Sequence, residues 1–132
     1  MNLSFDLLAI ERAGVKAWPA IETAPVGGWL WRYSQGGSQR ANSVSALADP
    51  AMDTERAIDE AERMYAAKGA IPRFQITDAA VPADLDQRLA RRGYQINDPC
   101  TTLAVALSAG EIPGDVEIAD RVTPDWFDAY AS

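Results

Sequence analysis

The sequence predicts an α/β domain in which helices pack on a central mixed β-sheet. Three observations predict it. The aromatic run "GWLWRYS" at 28–34 sets Trp29, Trp31 and Tyr33 on alternate positions, as a strand does. Two later segments, 54–69 and 82–93, carry apolar residues at helical spacing and close on a glycine. Strand-like and helix-like segments alternate along the chain, an order that lays helices against a sheet.

The elements follow in order. Residues 4–17, "SFDLLAIERAGVKA", read as a helix with Leu7, Leu8, Ile10 and Val15 near one face, Ser4 as N-cap and Pro19 as its stop. The strand at 28–34 comes next. The turn "QGGS" offers two glycines free to take positive φ, and 39–47, "QRANSVSAL", is expected to return as the second strand of a hairpin. Asp53 or Thr54 caps the helix at 54–69, whose stripe is Ala57, Ile58, Ala61, Met64 and Tyr65. Its acids lie early and Lys68 late, which suits the helix dipole. "IPRFQIT" at 71–77 reads as a strand, and Pro82 stands near the start of the helix at 82–93. Residues 94–107 read as a last strand region, interrupted at Pro99 and best from Thr101 to Leu107. The expected organisation is one domain at 1–110, then a connector at 111–132 that opens a second unit with Trp126, Phe127 and Tyr130 at helical spacing.

Composition excludes several function classes. The 132 residues fit one domain able to bury a continuous core. With 48% hydrophobic and 23% charged residues, the chain is of the folding kind and not the disordered kind. No apolar run reaches the roughly 18 residues of a membrane span. The N-terminus lacks a basic region and carries Asp6 and Glu11, so it does not read as a signal peptide. A single cysteine, Cys100, leaves no internal disulfide and fits a reducing cytoplasm, the expected location. A net charge of −7 argues against a nucleic-acid partner. The Arg91–Arg92 pair, late in a helix, is expected to serve the dipole and solvent. The absence of histidine removes Ser-His-Asp and Cys-His hydrolases, and with one cysteine it removes the usual zinc sites.

The candidate binding residues are Arg40, Asn42, Ser43, Trp29, Trp31 and Gln75. Asn42 and Ser43 either hydrogen-bond the hairpin backbone, with Arg40 pairing a nearby acid, or the three line a cleft. In the second case Arg40 would recognise a carboxylate or phosphate through its planar fork. Trp29 and Trp31 share a strand face with Tyr33, as core or as an aromatic wall. Gln75 lies opposite Phe74 and Ile76 on its strand, structural or lining the same cleft. Glu55, Asp59, Glu60 and Glu62 spread around a helix and do not converge on a metal. Cys100 has no histidine to activate it. No catalytic residue and no metal ligand is identified.

Three stretches in order, "GWLWRYSQGGSQRANSVSAL", "AIDEAERMYAAKGAIPRFQIT" and "PADLDQRLARRGYQINDPCTTLAV", resemble the N-terminal half of a bacterial subfamily of GNAT N-acetyltransferases. In that subfamily two GNAT-like units follow each other, the first of them degenerate. Arg40 to Val44 and Leu85 to Tyr94 carry most of the resemblance, which extends over roughly 5–130. It implies a GNAT-like fold, acetyl-CoA as cofactor of the complete enzyme and a primary amine as acceptor. It also implies that this unit walls the acceptor cleft and packs against a C-terminal catalytic unit. The departure from the family is its Q/R-x-x-G-x-G/A loop, where backbone amides hold the pyrophosphate. No glycine here has Gln or Arg three residues before it. Acetyl-CoA is therefore not expected to bind this chain tightly. Tyr94 follows the Arg-Gly pair at a packing position, not where a family tyrosine would protonate the thiolate. Two alternatives stand beside this expectation. One is a stand-alone ligand-binding or dimerisation module, associating through the aromatic strand. The other is weak cofactor binding by "SQGGSQ".

Overall fold

A computed structural model describes residues 5–111 and 113–132 and divides the chain into two units, Met1–Thr102 and Leu103–Ser132. In the first unit, the Asp6 carboxylate accepts a hydrogen bond from the Ala9 N–H and caps helix α1, Leu7–Ala17. Ser4, the expected cap, lies outside the described residues. The helix stops at Trp18, before Pro19, whose ring disfavours a helical predecessor.

Strand β1, Glu22–Val26, was not expected from the sequence. It pairs antiparallel with β2, Trp29–Tyr33, from Glu22↔Tyr33 to Val26↔Trp29. The hairpin is thus made by Gly27-Gly28, and not by the later glycine pair. Pro25 weakens the strand signal of this segment, yet β1 is the sheet edge, where a strand tolerates proline. Gly27 has φ +59°, and a Cβ there would lie 1.5 Å from the Pro50 carbonyl oxygen, so backbone fills the space a side chain would need.

The expected strand at 39–47 is a second correction. Residues Arg40–Asn42 coil into a 3-10 turn, and only Val44–Ser45 forms a strand, β3. β3 meets β2 antiparallel at Leu30↔Ser45 and runs parallel to β4, Phe74–Gln75. The result is a four-stranded mixed sheet in the order β1-β2-β3-β4.

Helix α2, Thr54–Ala67, is capped by Asp53, whose carboxylate accepts from the Arg56 N–H. It buries Ala57, Ile58, Ala61 and Tyr65, the predicted stripe, with Met64 packed partly against the core. Helix α3, Leu85–Arg91, is shorter than its pattern and adds Leu85 and Leu89. These side chains close one sheet face with Val26, Trp29, Trp31, Val44 and Ala46. Two alanines on the α2 stripe let that helix approach closely, and Tyr65 then reaches the sheet. Its hydroxyl donates to the Arg32 carbonyl at 2.7 Å and its ring lies 5.0 Å from that of Trp31. Burial pushes the Tyr65 phenol up to about 12.

Arg92 is not the solvated residue its position suggested. It binds the carboxylates of Glu55 at 2.8 Å, Asp59 at 2.7 Å and Glu62 at 3.2 Å, and so ties the end of α3 to α2. Arg88 adds Glu55 and Asp84. Hydrogen bonds from Arg92 and then Arg88 hold the Glu55 carboxyl below its ordinary 4.5.

The second unit contains α4, Pro124–Ala131, capped by the Thr123 hydroxyl, with Trp126 stacked on Tyr130. Residues 101–107, expected as a strand, have no ladder partner among the described residues, and Leu103, Val105 and Leu107 stand 89%, 77% and 94% exposed. Alternation specifies which side chains would share a face, but a strand also needs a neighbour's backbone. Among the described residues no helix is long and apolar enough to cross a membrane.

Two stability measurements check this packing. Gly27→Ala is expected to lose more than about 1 kcal/mol in urea unfolding, through both φ and the Pro50 contact. Gly14→Ala, mid-helix with nothing within 4 Å of its new methyl, is expected to gain about 0.5–1 kcal/mol. The lowered Glu55 group contributes stability above its unfolded value of 4.5, and that contribution is lost as pH falls through the lower folded value. Between about pH 6 and about pH 3 the unfolding midpoint is expected to fall, and Glu55→Gln is expected to fall less.

Candidate functional site

Paired residues in a sheet point to the same face, so the register separates two sets of side chains. The helix-covered face takes Val26, Trp29, Trp31 and Val44. The other face carries Thr23 opposite Arg32, and the row Pro25, Leu30, Ser45 and Gln75. Arg32 is only 1% exposed on that face. Its Nε donates to the Ser43 carbonyl at 3.3 Å, and its Nη2 donates to Ser43 Oγ at 3.4 Å and Gln75 Oε1 at 3.0 Å. Its Nη1 donates to the Trp18 carbonyl at 3.4 Å, which brings the C-terminal end of α1 to this face.

Every acceptor on Arg32 is neutral. Burial lowers the tendency of this guanidinium to hold its proton; Tyr65 opposes that effect in part, and the nearby Arg40 charge adds a smaller push in the direction of burial. An arginine remains charged in spite of this. The same face holds Ser45, 6% exposed, whose Oγ is buried without a hydrogen-bond partner. This arrangement can orient an oxyanion. It contains no base to activate the Ser43 or Ser45 hydroxyl, and among the described residues no three acids or cysteines converge as metal ligands.

The candidate residues fall into three places. Ser43 and Gln75 converge on Arg32. Arg40 is exposed and pairs with no acid among the described residues; its guanidinium sits 6.0 Å over the Trp18 ring. Asn42 is buried and closes the loop before β3. Its Oδ1 accepts from the Ser34 N–H at 2.7 Å, and its Nδ2 donates to the carbonyls of Ser38 at 2.7 Å and Gly36 at 3.1 Å. Ser43 Oγ also donates to the Arg40 carbonyl at 2.9 Å. Trp29 and Trp31, 1% and 3% exposed, lie in the core on the opposite face from Arg32. Tyr94 packs edge-on against Phe74 and donates to Glu62 at 2.9 Å; burial first, and then Glu62, raise its phenol well above the ordinary value.

Sequence reasoning passed over Arg32. A charge inside a strand normally marks a solvent face, and nothing in the local pattern shows that this second face is covered. The available signal was its setting: an arginine flanked by Trp31 and Tyr33 with no acid between 24 and 48. Gly36 and Gly37, with φ +104° and +81°, stand in open space before the three-residue 3-10 turn. The depression lined by Gly27, Met52, Arg56, Asp59 and Arg63 shares no residue with the Arg32 cluster.

Comparison with known proteins supplies the family context. Residues 5–132 match the family described as "Probable histone acetyltransferase Rv0428c C-terminal". An uncharacterized N-acetyltransferase, YobR of Bacillus subtilis, is 38% identical over 96 residues, which are 72% of this chain and 37% of YobR. The probable histone acetyltransferase Rv0428c of Mycobacterium tuberculosis is 30% identical over 122 residues, 92% of this chain and 37% of that protein. The chain thus spans little more than a third of the length of these relatives. No solved structure matches it.

The Asn42 geometry makes a direct prediction. Asn42→Ala removes three hydrogen bonds at once and is expected to lower unfolding stability by about 1–3 kcal/mol, whereas Arg40→Ala, exposed, is expected to change it by less than about 0.5 kcal/mol.

Proposed function

The chain belongs to the Rv0428c C-terminal acetyltransferase family, and on that premise we propose that it is the substrate-binding and scaffolding unit of a two-unit GNAT N-acetyltransferase. In the complete enzyme an acceptor amine attacks the acetyl-CoA thioester, and the thiolate leaves. The pyrophosphate-holding loop belongs to the other unit, and this unit supplies a wall of the acceptor cleft. One observation carries the proposal: a chain matching an acetyltransferase family over 5–132 has no glycine in the Q/R-x-x-G-x-G/A setting. Its Gly36-Gly37 pair precedes a single 3-10 turn, too short to present the row of amides that a helix N-terminus offers. The coverage of 37% of each relative supports a larger enzyme with room for a second unit.

A second reading rests on the exposed apolar side chains of the second unit. Leu103, Leu107, Trp126, Phe127 and Tyr130 are each more than half exposed. Such side chains favour association, with a catalytic unit or with another copy in a module without chemistry of its own.

Calorimetric titration of the 132-residue chain with acetyl-CoA tests the first reading. No saturable heat is expected up to about 1 mM, where a millimolar site would be half filled. One-site saturation in the micromolar range would overturn it and direct attention to the loop at 35–38.

A further inference from the structure

Trp18 stands between two arginines. Its backbone carbonyl accepts from Arg32 Nη1, and its indole lies under the Arg40 guanidinium. Neither arginine has a carboxylate partner among the described residues, and Trp18 touches both. In a chain of net charge −7 this is a local concentration of unmatched positive charge.

We propose that Arg32 and Arg40 form an oxyanion-binding site, closed in this structure by Trp18, that takes a carboxylate or phosphate group of a small molecule. The hydrogen bonds of Arg32 are long for a charged donor. Those to Ser43 and Trp18 measure 3.3 Å, 3.4 Å and 3.4 Å, whereas a guanidinium on an oxyanion holds about 2.7–2.9 Å. Two neutral carbonyls and a hydroxyl therefore occupy donor positions that a charged oxygen would fill better. Ser45 Oγ, buried and unpartnered, is a further polar atom on the same sheet face, in register with Gln75.

The cover is lightly held. No residue of α1 is buried, and Trp18 itself is 46% exposed. Because α1 buries no residue, Trp18 can lift without opening the core, and an entering anion can then replace its carbonyl on Arg32 Nη1. Arg40, freed from the indole ring, then reaches the other oxygen. Binding involves no covalent step and needs no acetyl-CoA, so it goes beyond the acetyltransferase proposal and stands or falls separately from it.

The test is nuclear magnetic resonance on the ¹⁵N-labelled 132-residue chain, titrated with inorganic phosphate and separately with succinate at constant ionic strength. The Arg32 Nε–H and Trp18 indole N–H resonances are expected to shift together and saturate, with a Kd of about 1 mM or lower for at least one probe. The probe that saturates identifies the preferred group. Arg40→Gln, on the surface, is expected to weaken that binding about tenfold, and Lys16→Gln, on α1 nearby, to leave it unchanged. Absence of saturating shifts with both probes at about 10 mM would overturn the site. So would equal loss in Arg40→Gln and Lys16→Gln, which would mean diffuse charge attraction only.

Discussion

A guanidinium buried among neutral acceptors holds together the face of the sheet turned away from α2. Arg32 reaches from β2 to the backbone and hydroxyl of Ser43 before β3, to Gln75 on β4 and to Trp18 at the end of α1. Each of those elements is short or marginal by itself: β3 and β4 have two residues each, and α1 buries none. Backbone pairing of that length gives little cohesion, so a multi-dentate donor joining three strands and a helix end adds a tie on this face to the packing of Val44 and Phe74 on the other. The main chain of Arg32 serves the other face, because its carbonyl accepts the Tyr65 hydroxyl. One residue thus connects the polar face to the aromatic core.

The helix side depends on different physics. Small side chains on α2 let it lie close to Trp29 and Trp31, and burial there is mostly apolar, with the Tyr65 hydroxyl bonded to the sheet and the Trp31 Nε1 left without a partner. At the rim, Arg88 and Arg92 gather four acids from α2 and the approach to α3. Exposed ion pairs are individually weak, and their shared acceptor Glu55 makes this cluster more than a set of independent pairs. The two faces therefore differ in kind. One is an apolar layer with a charged rim. The other is a charge with an apolar and polar rim.

What the sequence disclosed follows from which signals are local. α2 was legible because its cap, its stripe and its terminal glycine agree over fourteen residues. β2 was legible from alternation. β1 was hidden by Pro25 and by a glycine pair at 36–37 that competed with the true turn at 27–28. The turn at 40–42 was hidden because Asn42 organises it through its side chain, which a strand pattern does not register. Residues 101–107 show the reverse, a strand pattern without a partner. Of the site, Ser43 was legible as part of the polar group of Arg40, Asn42 and Ser43, and Gln75 as a polar residue between Phe74 and Ile76. Arg32, which joins them, was not, since long-range burial of a charge leaves no local trace. The acetyltransferase family was legible in the order of "RANSV" and the segment ending in Arg92-Gly93-Tyr94, and the family match over 5–132 agrees.

A double-mutant cycle on Arg32 and Gln75 tests the central claim most directly. Arg32→Met and Gln75→Leu, singly and together, are compared by urea unfolding, with unchanged slope as the check that each variant keeps its fold. If Arg32 clasps the sheet through Gln75, removing both costs less than the sum of the single losses, with a coupling of at least about 0.5 kcal/mol. Strict additivity, with small single losses, would contradict it: the strands would then be held by backbone pairing and the α2 core alone, and Arg32 would be an incidental buried charge.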